Sequence, residues 1–161
     1  MGSVRYRYLR QRDSYSCGPI ALLNARKFLR QRVTRADLPM YHITCGTDET
    51  GTHWGRLART VRDTIGLYTA VHEISAPSFC RELLPLLRSG YSLILSLEAE
   101  HESHVVFVER AGIDNVFIAN WQPVLGGYFD EKQSTHVWVR FSDIMQLVTV
   151  DSNMLYFVGW E

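Results

Sequence analysis

Residues 11–24 read Gln11-Arg12-Asp13-Ser14-Tyr15-Ser16-Cys17-Gly18-Pro19-Ile20-Ala21-Leu22-Leu23-Asn24. A helix pattern begins at Cys17. Ser14 or Ser16 is placed to cap it, and Pro19 suits a first turn, where its missing N–H is not needed. Ile20, Leu23 and Phe28 fall near one face, with Ala21 and Leu22 beside it. The basic run from Arg26 to Arg32 suits the negative end of the helix dipole. A cysteine at a helix start lies among free backbone N–H groups, which favour the thiolate, its reactive form. Gly18 leaves room beside the sulfur. The same position also suits a small cysteine that only packs. Gln11 carries an amide that can donate, with the Cys17 N–H, to a developing oxyanion. Such a donor contributes ~3–4 kcal/mol to a transition state. Taken alone, Gln11 reads more often as a solvated surface residue, and its weight comes from the pairing with Cys17.

Downstream of this helix, residues 36–53 read as loop and short turns, with a breaker at residues 47–52 and Thr52 as a cap. Trp54, Leu57, Ala58, Val61 and Ile65 have helical spacing, and Gly66 ends that helix. A short strand over 68–74 is followed by a helix over 77–88, closed by Gly90. Strand patterns then recur over 91–97, 104–110, 115–121, 136–141 and 154–160, with a short helix over 142–148. Helices first and strands afterwards imply an α+β fold, one domain over 1–161, with helices packed on an antiparallel sheet.

An attacking thiol needs a base, and the chain has six histidines. His104 precedes the apolar run Val105-Val106-Phe107-Val108 and stands at a strand entrance. Asn120 stands at the exit of the next strand. A hairpin centred on Gly112 brings the two opposite each other, about 5 Å apart at Cβ. Asn120 then orients the imidazole, leaving its other nitrogen for Cys17. His136 also opens a strand, but no Asn or Asp follows at a comparable exit, and its substitution is expected to be nearly silent. His101 lies in a polar loop, and Asp114 sits in the presumed turn. His42, Cys45 and His53 match no standard zinc spacing, so no metal and no other cofactor is expected. Trp54 and Trp121 are placed to wall a substrate groove, or to pack in the core.

The composition is ordinary globular, at 46% hydrophobic and 21% charged, so a core can form without disulfide or metal staples. Three cysteines, an odd number, argue against a disulfide framework. The start lacks the apolar core of a signal peptide, and no run approaches the ~18 apolar residues of a membrane span. A reducing cytoplasm is the simplest location. Residues 1–35 hold nine basic side chains and one acid, so they carry +8 and the rest of the neutral chain −8. Either the two parts face each other, or the basic part steers an acidic protein partner. A neutral total argues against general nucleic-acid binding.

These residues together resemble the C39-like branch of the papain superfamily, which includes the bacteriocin leader peptidases. Gln11, Cys17-Gly18-Pro19 and Ala21-Leu22-Leu23 match the nucleophile block. Gly51-Thr52 with the following helix, the segment 83–96, Ser103-His104-Val105-Val106 and Ala119-Asn120 match the later blocks. The resemblance implies a papain-like fold and a cysteine peptidase acting on a protein or peptide. It assigns Cys17 as nucleophile, His104 as base, Asn120 as orienter and Gln11 as oxyanion donor. The family usually has Asp-Pro where this chain has Asn120-Trp121, and Asn followed by Trp is the papain-like habit. Phytochelatin-synthase-like relatives illustrate a second outcome, acyl transfer from the same intermediate. An inactive peptide-binding module is a third, against which the intact residue set argues.

Overall fold

The computed structural model describes residues 8–65, 70–73, 81, 84–99, 102–121, 136–146 and 153–158. Helix α1 spans Cys17–Phe28. All of its residues from Cys17 to Ala25 are buried, so it is a central helix and not the one-faced helix that Ile20, Leu23 and Phe28 suggest. Its interior polar residue, Asn24, is fully buried and spends both ends of its amide on Leu9. The Leu9 N–H donates to Oδ1 at 2.7 Å, and Nδ2 donates to the Leu9 carbonyl at 3.0 Å. Those bonds offset the cost of burying the amide and tie the incoming chain to the helix. The helix ends in a Schellman turn. Arg30 takes φ 58°, and the N–H groups of Arg30 and Gln31 return to the carbonyls of Lys27 and Arg26.

The region 36–53 is more ordered than its sequence suggests. A 3-10 turn over Arg35–Asp37 leads into helix α2, Leu38–Thr44. Thr34 and Asp37 form a reciprocal capping box at this entry, and Pro39 occupies the first turn of α2. Thr-x-x-Asp followed by Pro is the signal that marks this helix in the sequence. Helix α3, Trp54–Ile65, buries Leu57, Thr60, Val61 and Ile65. Its cap is His53, whose Nδ1 and carbonyl both accept the Arg56 N–H. Thr52 instead shares a hydrogen bond with Thr47.

Six strands form one antiparallel sheet: β1 (Ala70–Glu73), β2 (Tyr91–Ala99), β3 (Glu102–Ala111), β4 (Asn115–Ala119), β5 (Val137–Arg140) and β6 (Asn153–Val158). Their order is β1-β6-β2-β3-β4-β5. The last strand in sequence is thus inserted between the first two. Helix α4, Phe141–Met145, follows β5. The expected helix over 77–88 lies partly outside the described residues, and 84–88 are helical. The sheet has a packed cluster on each face. Ile94, Val105, Phe107 and Ala119 join α1 and α3 on one side. Leu93, Leu95, Val106, Val108 and Ile118 join Leu87, Phe141 and Ile144 on the other. Covering both faces explains the unbroken apolar runs Leu93–Leu95 in β2 and Val105–Val108 in β3.

The β3–β4 register departs from a hairpin centred on Gly112. The turn runs from Gly112 to Asn115, closed by a 2.8 Å bond between the Gly112 N–H and the Asn115 carbonyl. A bulge between Val108 and Arg110 shifts the pairing, and the last pair is Phe107 with Ala119. One step further puts Asn120 across from Val106, not His104. The added residue is Glu109, which accepts a hydrogen bond from the Tyr8 hydroxyl. The offset comes from the turn centre, which lies between residues 113 and 114 and not at Gly112, and the one-residue bulge reduces it. Neither has a signature in period-2 alternation, so the sequence alone misplaces the pair.

Candidate active site

Cys17 is the first residue of α1 and is 7% exposed. Ser16 is the N-cap residue but its side chain makes no cap bond, and Asp13 instead orders the turn that leads into the helix. Asp13 Oδ1 accepts the N–H groups of Tyr15 and Ser16, at 3.0 and 2.7 Å. The Ser16 hydroxyl donates to Asp13 Oδ2 at 2.6 Å and meets His42 Nε2 at 2.8 Å. With its proton committed to the carboxylate, Ser16 accepts from His42, which must carry its proton on Nε2. This chain of contacts fastens α2 to the start of α1.

Burial is the main influence on the Cys17 thiol and raises its pKa. The backbone N–H groups of Val105, Gly18 and Cys17 itself pull the other way, and Asp13 adds a small upward push. The helix start therefore does supply thiolate-favouring donors, but desolvation outweighs them. Gly18 is buried against Thr52. A Cβ built on it would lie 2.6 Å from Thr52 Oγ1. The missing side chain makes room for Thr52, and not for open space beside the sulfur.

His104 lies in β3, opposite Leu97, and is 5% exposed. β4 ends at Ala119, so the sheet is open beside residues 104 and 105. Two groups use that opening. The Val105 N–H faces the Cys17 sulfur, and His104 Nε2 meets the Asn120 carbonyl at 2.9 Å. A carbonyl only accepts, so Nε2 carries the proton. The neutral ring then keeps its lone pair on Nδ1, the nitrogen nearer its own backbone and hence nearer Val105. Burial lowers the His104 pKa, against the effect of the Asn120 carbonyl. Thiol and imidazole are thus both held in their neutral forms. No hydrogen bond joins Cys17 to His104; their link runs through Val105.

Asn120 takes φ 61°, a left-handed conformation that asparagine tolerates better than most residues. Its side chain turns away from His104. Oδ1 accepts the Gln11 N–H at 3.0 Å, and Nδ2 donates to Gln11 Oε1 at 3.1 Å. The orienting contact to His104 is therefore made by the main chain, where the sequence suggested the amide. Gln11 is 3% exposed, so it is not a solvated residue. Its Nε2 donates to the Asp13 carbonyl at 2.7 Å.

The two tryptophans do not wall one groove. Trp54 packs against the cluster that holds Cys17, and Trp121 against the cluster on the opposite face. The sheet stands between them. Among the described residues the buried Trp54 Nε1 proton finds no partner. Cys45 is fully buried, and burial pushes its pKa up to about 11. Cys17 and Cys45 are both free thiols, and Cys80 and His101 lie outside the described residues. Among the described residues no three His, Cys, Asp or Glu side chains gather as a metal ion needs. His42 and His53 are held by Ser16 and Arg56, as described above. No described helix is long and apolar enough to cross a membrane.

Cys17 thus stands on the first turn of a central helix set against an antiparallel sheet, in an α+β fold. Solved structures share it. The peptidase domain of Streptococcus ComA, a bi-functional ABC transporter involved in quorum sensing, superposes with a TM-score of 0.67. That match covers 98% of this chain and 100% of that domain, at 13% identity. The Streptococcus mutans ComA peptidase domain gives 0.58 at 13% identity, over 94% of this chain and 98% of that one. Its complex with a small-molecule inhibitor gives 0.56 at 12%, with the same coverage. No protein-family model and no curated protein sequence matches the chain.

Proposed function

We propose that this chain is a cysteine peptidase that cleaves a peptide or isopeptide bond through an acyl-enzyme on Cys17, with His104 as base. One observation carries the reading. The peptidase-domain fold extends over 98% of the chain, and in it Cys17 opens the central helix next to the strand residue that follows His104. In the forward step the Cys17 proton passes to Nδ1 of His104, and the sulfur attacks the substrate carbonyl carbon. The carbonyl oxygen takes the electron pair and is met by the Cys17 N–H. Gln11 Nε2 joins it after leaving the Asp13 carbonyl. The C–N bond then breaks, and the imidazolium returns its proton to the departing amine. Water attacks the thioester with His104 again as base, and Cys17 is regenerated.

Because Cys17 and His104 are both desolvated, their ionised pair is disfavoured in the free protein. Substrate binding is then the event that makes proton transfer favourable, by presenting a polar group to the ion pair. The burial of Cys17 also favours a second reading, acyl transfer. An acyl group on Cys17, a residue only 7% exposed, is sheltered from bulk water, and a bound amine competes well. The buried free thiols fit a reducing cytoplasm.

Digestion of a proteome-derived peptide library tests both readings. Wild type should create new amino termini, or new amides when an amine is added, and Cys17→Ala should create neither. If wild type yields neither, and iodoacetamide prefers Cys45 to Cys17, Cys17 is not the nucleophile.

A further inference from the structure

His136 immediately precedes β5, whose register pairs Val137 with Ile118. One step further puts His136 across from Ala119, beside the site where β4 ends. Its Nδ1 lies 3.1 Å from the Asn120 nitrogen and accepts that N–H. Its Nε2 lies 3.2 Å from the Tyr8 carbonyl, which only accepts, so the proton sits on Nε2. One neutral tautomer satisfies both contacts, and neither nitrogen is left to act as a base. His136 is therefore no substitute for His104. The two rings hold opposite ends of one residue: His136 takes the N–H of Asn120, and His104 takes its carbonyl.

We propose that His136 is a positioning residue of the reaction, which fixes the main chain at Asn120 and so aims the Asn120 carbonyl at His104 Nε2. The inference rests on the reading of Cys17 as nucleophile and His104 as base. Asn120 is in the left-handed region, where a modest rotation swings its carbonyl away from the ring. Gln11 fixes its side chain, and His136 fixes the N–H on the other side of the same φ bond. Releasing the N–H frees the carbonyl, and His104 loses the contact that keeps its proton on Nε2 and its lone pair on Nδ1. Burial favours neutral His136, with Arg10 acting in the same direction and the Tyr8 carbonyl against it. The Tyr8 ring packs edge-on at 5.9 Å. The neutral form is the one the Asn120 contact requires. Substitution of His136 is thus not silent, as the sequence suggested.

The readout is the rate of Cys17 alkylation by iodoacetamide across mildly acidic to neutral pH, followed by peptide mapping, which needs no known substrate. His136→Ala should slow Cys17 labelling by about tenfold at the acidic end, the scale of an orienting contact. His136→Asn places Oδ1 near the former Nδ1 and should recover to within about threefold, whereas His136→Gln reaches only the Nε2 position and should stay low. A wild-type rate in His136→Ala, or equal rescue by Gln and Asn, overturns the inference. A measurement on wild type covers variants that fail to fold. Nitrogen NMR should show neutral His136 with its proton on Nε2 and a coupling from the Asn120 N–H to Nδ1, and a proton on Nδ1 overturns the inference as well. His104→Ala separates the two levels. If it labels like wild type, the catalytic reading falls and this inference falls with it. If it is impaired while His136→Ala is not, this inference alone falls.

Discussion

The start of α1 and the end of β4 form the two halves of the site, and they are held in opposite ways. At the start of α1, Asp13 fixes the turn that leads into the helix through residues two and three positions away. At the end of β4, Asn120 is held by Gln11 from 109 residues away and by His104 and His136 from 16. The first half is mostly local. The second exists only when the incoming chain, β3, β4 and the approach to β5 are assembled together. The placement of Cys17 should therefore tolerate mild perturbation of the sheet better than the orientation of His104 does.

The largest effect tests whether the halves act as one unit. Cys17→Ala should abolish turnover, and His104→Ala should lose most of the same acceleration, about 10³-fold or more. The double variant should be little worse than either, because members of a catalytic unit are strongly non-additive. Kinetics on any substrate found by the library, with circular dichroism to verify folding, decides this. Additive losses would mean that the two residues work separately.

A smaller effect asks whether the carbonyl or the amide of Asn120 orients His104. Both Asn120→Gly and Asn120→Ala leave Gln11 without its partner, at a cost of about 1–3 kcal/mol for buried groups left unpaired. Glycine accepts φ 61° freely and alanine does not. If the carbonyl orients the ring, Asn120→Gly should retain several-fold more activity than Asn120→Ala. Equal losses would point to the side chain.

The pH dependence of stability follows from burial on both sides of the site. His104 and His136 are lowered from 6.5 by burial. The unfolded chain therefore binds protons first as pH falls below about 6.5, and stability declines there. Cys17 and Cys45 are raised from 9.0 by burial. The unfolded chain loses protons first as pH rises past about 9, and stability declines there too. Denaturant midpoints should be highest between those values. Cys17→Ala should flatten the alkaline limb and His104→Ala the acid limb; limbs unchanged in both variants would assign the dependence to other groups.

The smallest expected effect concerns charge. Arg62–Asp63, Arg110–Glu109 and Arg140–Asp143 pair within the acidic part of the chain. Arg12 lies close enough to Arg35 to lower its pKa, after burial, with Asp13 opposing. A basic surface of this kind should make kcat/KM on an acidic partner fall with salt, as screening shortens to ~8 Å at physiological ionic strength. A flat salt profile would leave the basic residues without a steering role.

The sequence by itself determined the α+β class, the extent of α1 and α3, and Cys17 at a helix start. Each of these depends on neighbours a few residues away, through helical spacing, breakers and apolar runs. Of the residues that the sequence singled out, the structure brings Gln11, Asn120 and His104 into one network. The partners within that set were not legible. The turn closes between Gly112 and Asn115, and even with the one-residue bulge at Glu109 Asn120 lies two places from His104 along the strand pairing; at its left-handed φ the contact to His104 is made by the carbonyl. Helix α2 was missed because its few apolar residues are mostly exposed and carry little period. The contacts of His136 join residues far apart in the chain, and no local pattern records them. Tertiary structure alone decided those, because register, burial and main-chain partners are set by which segments meet.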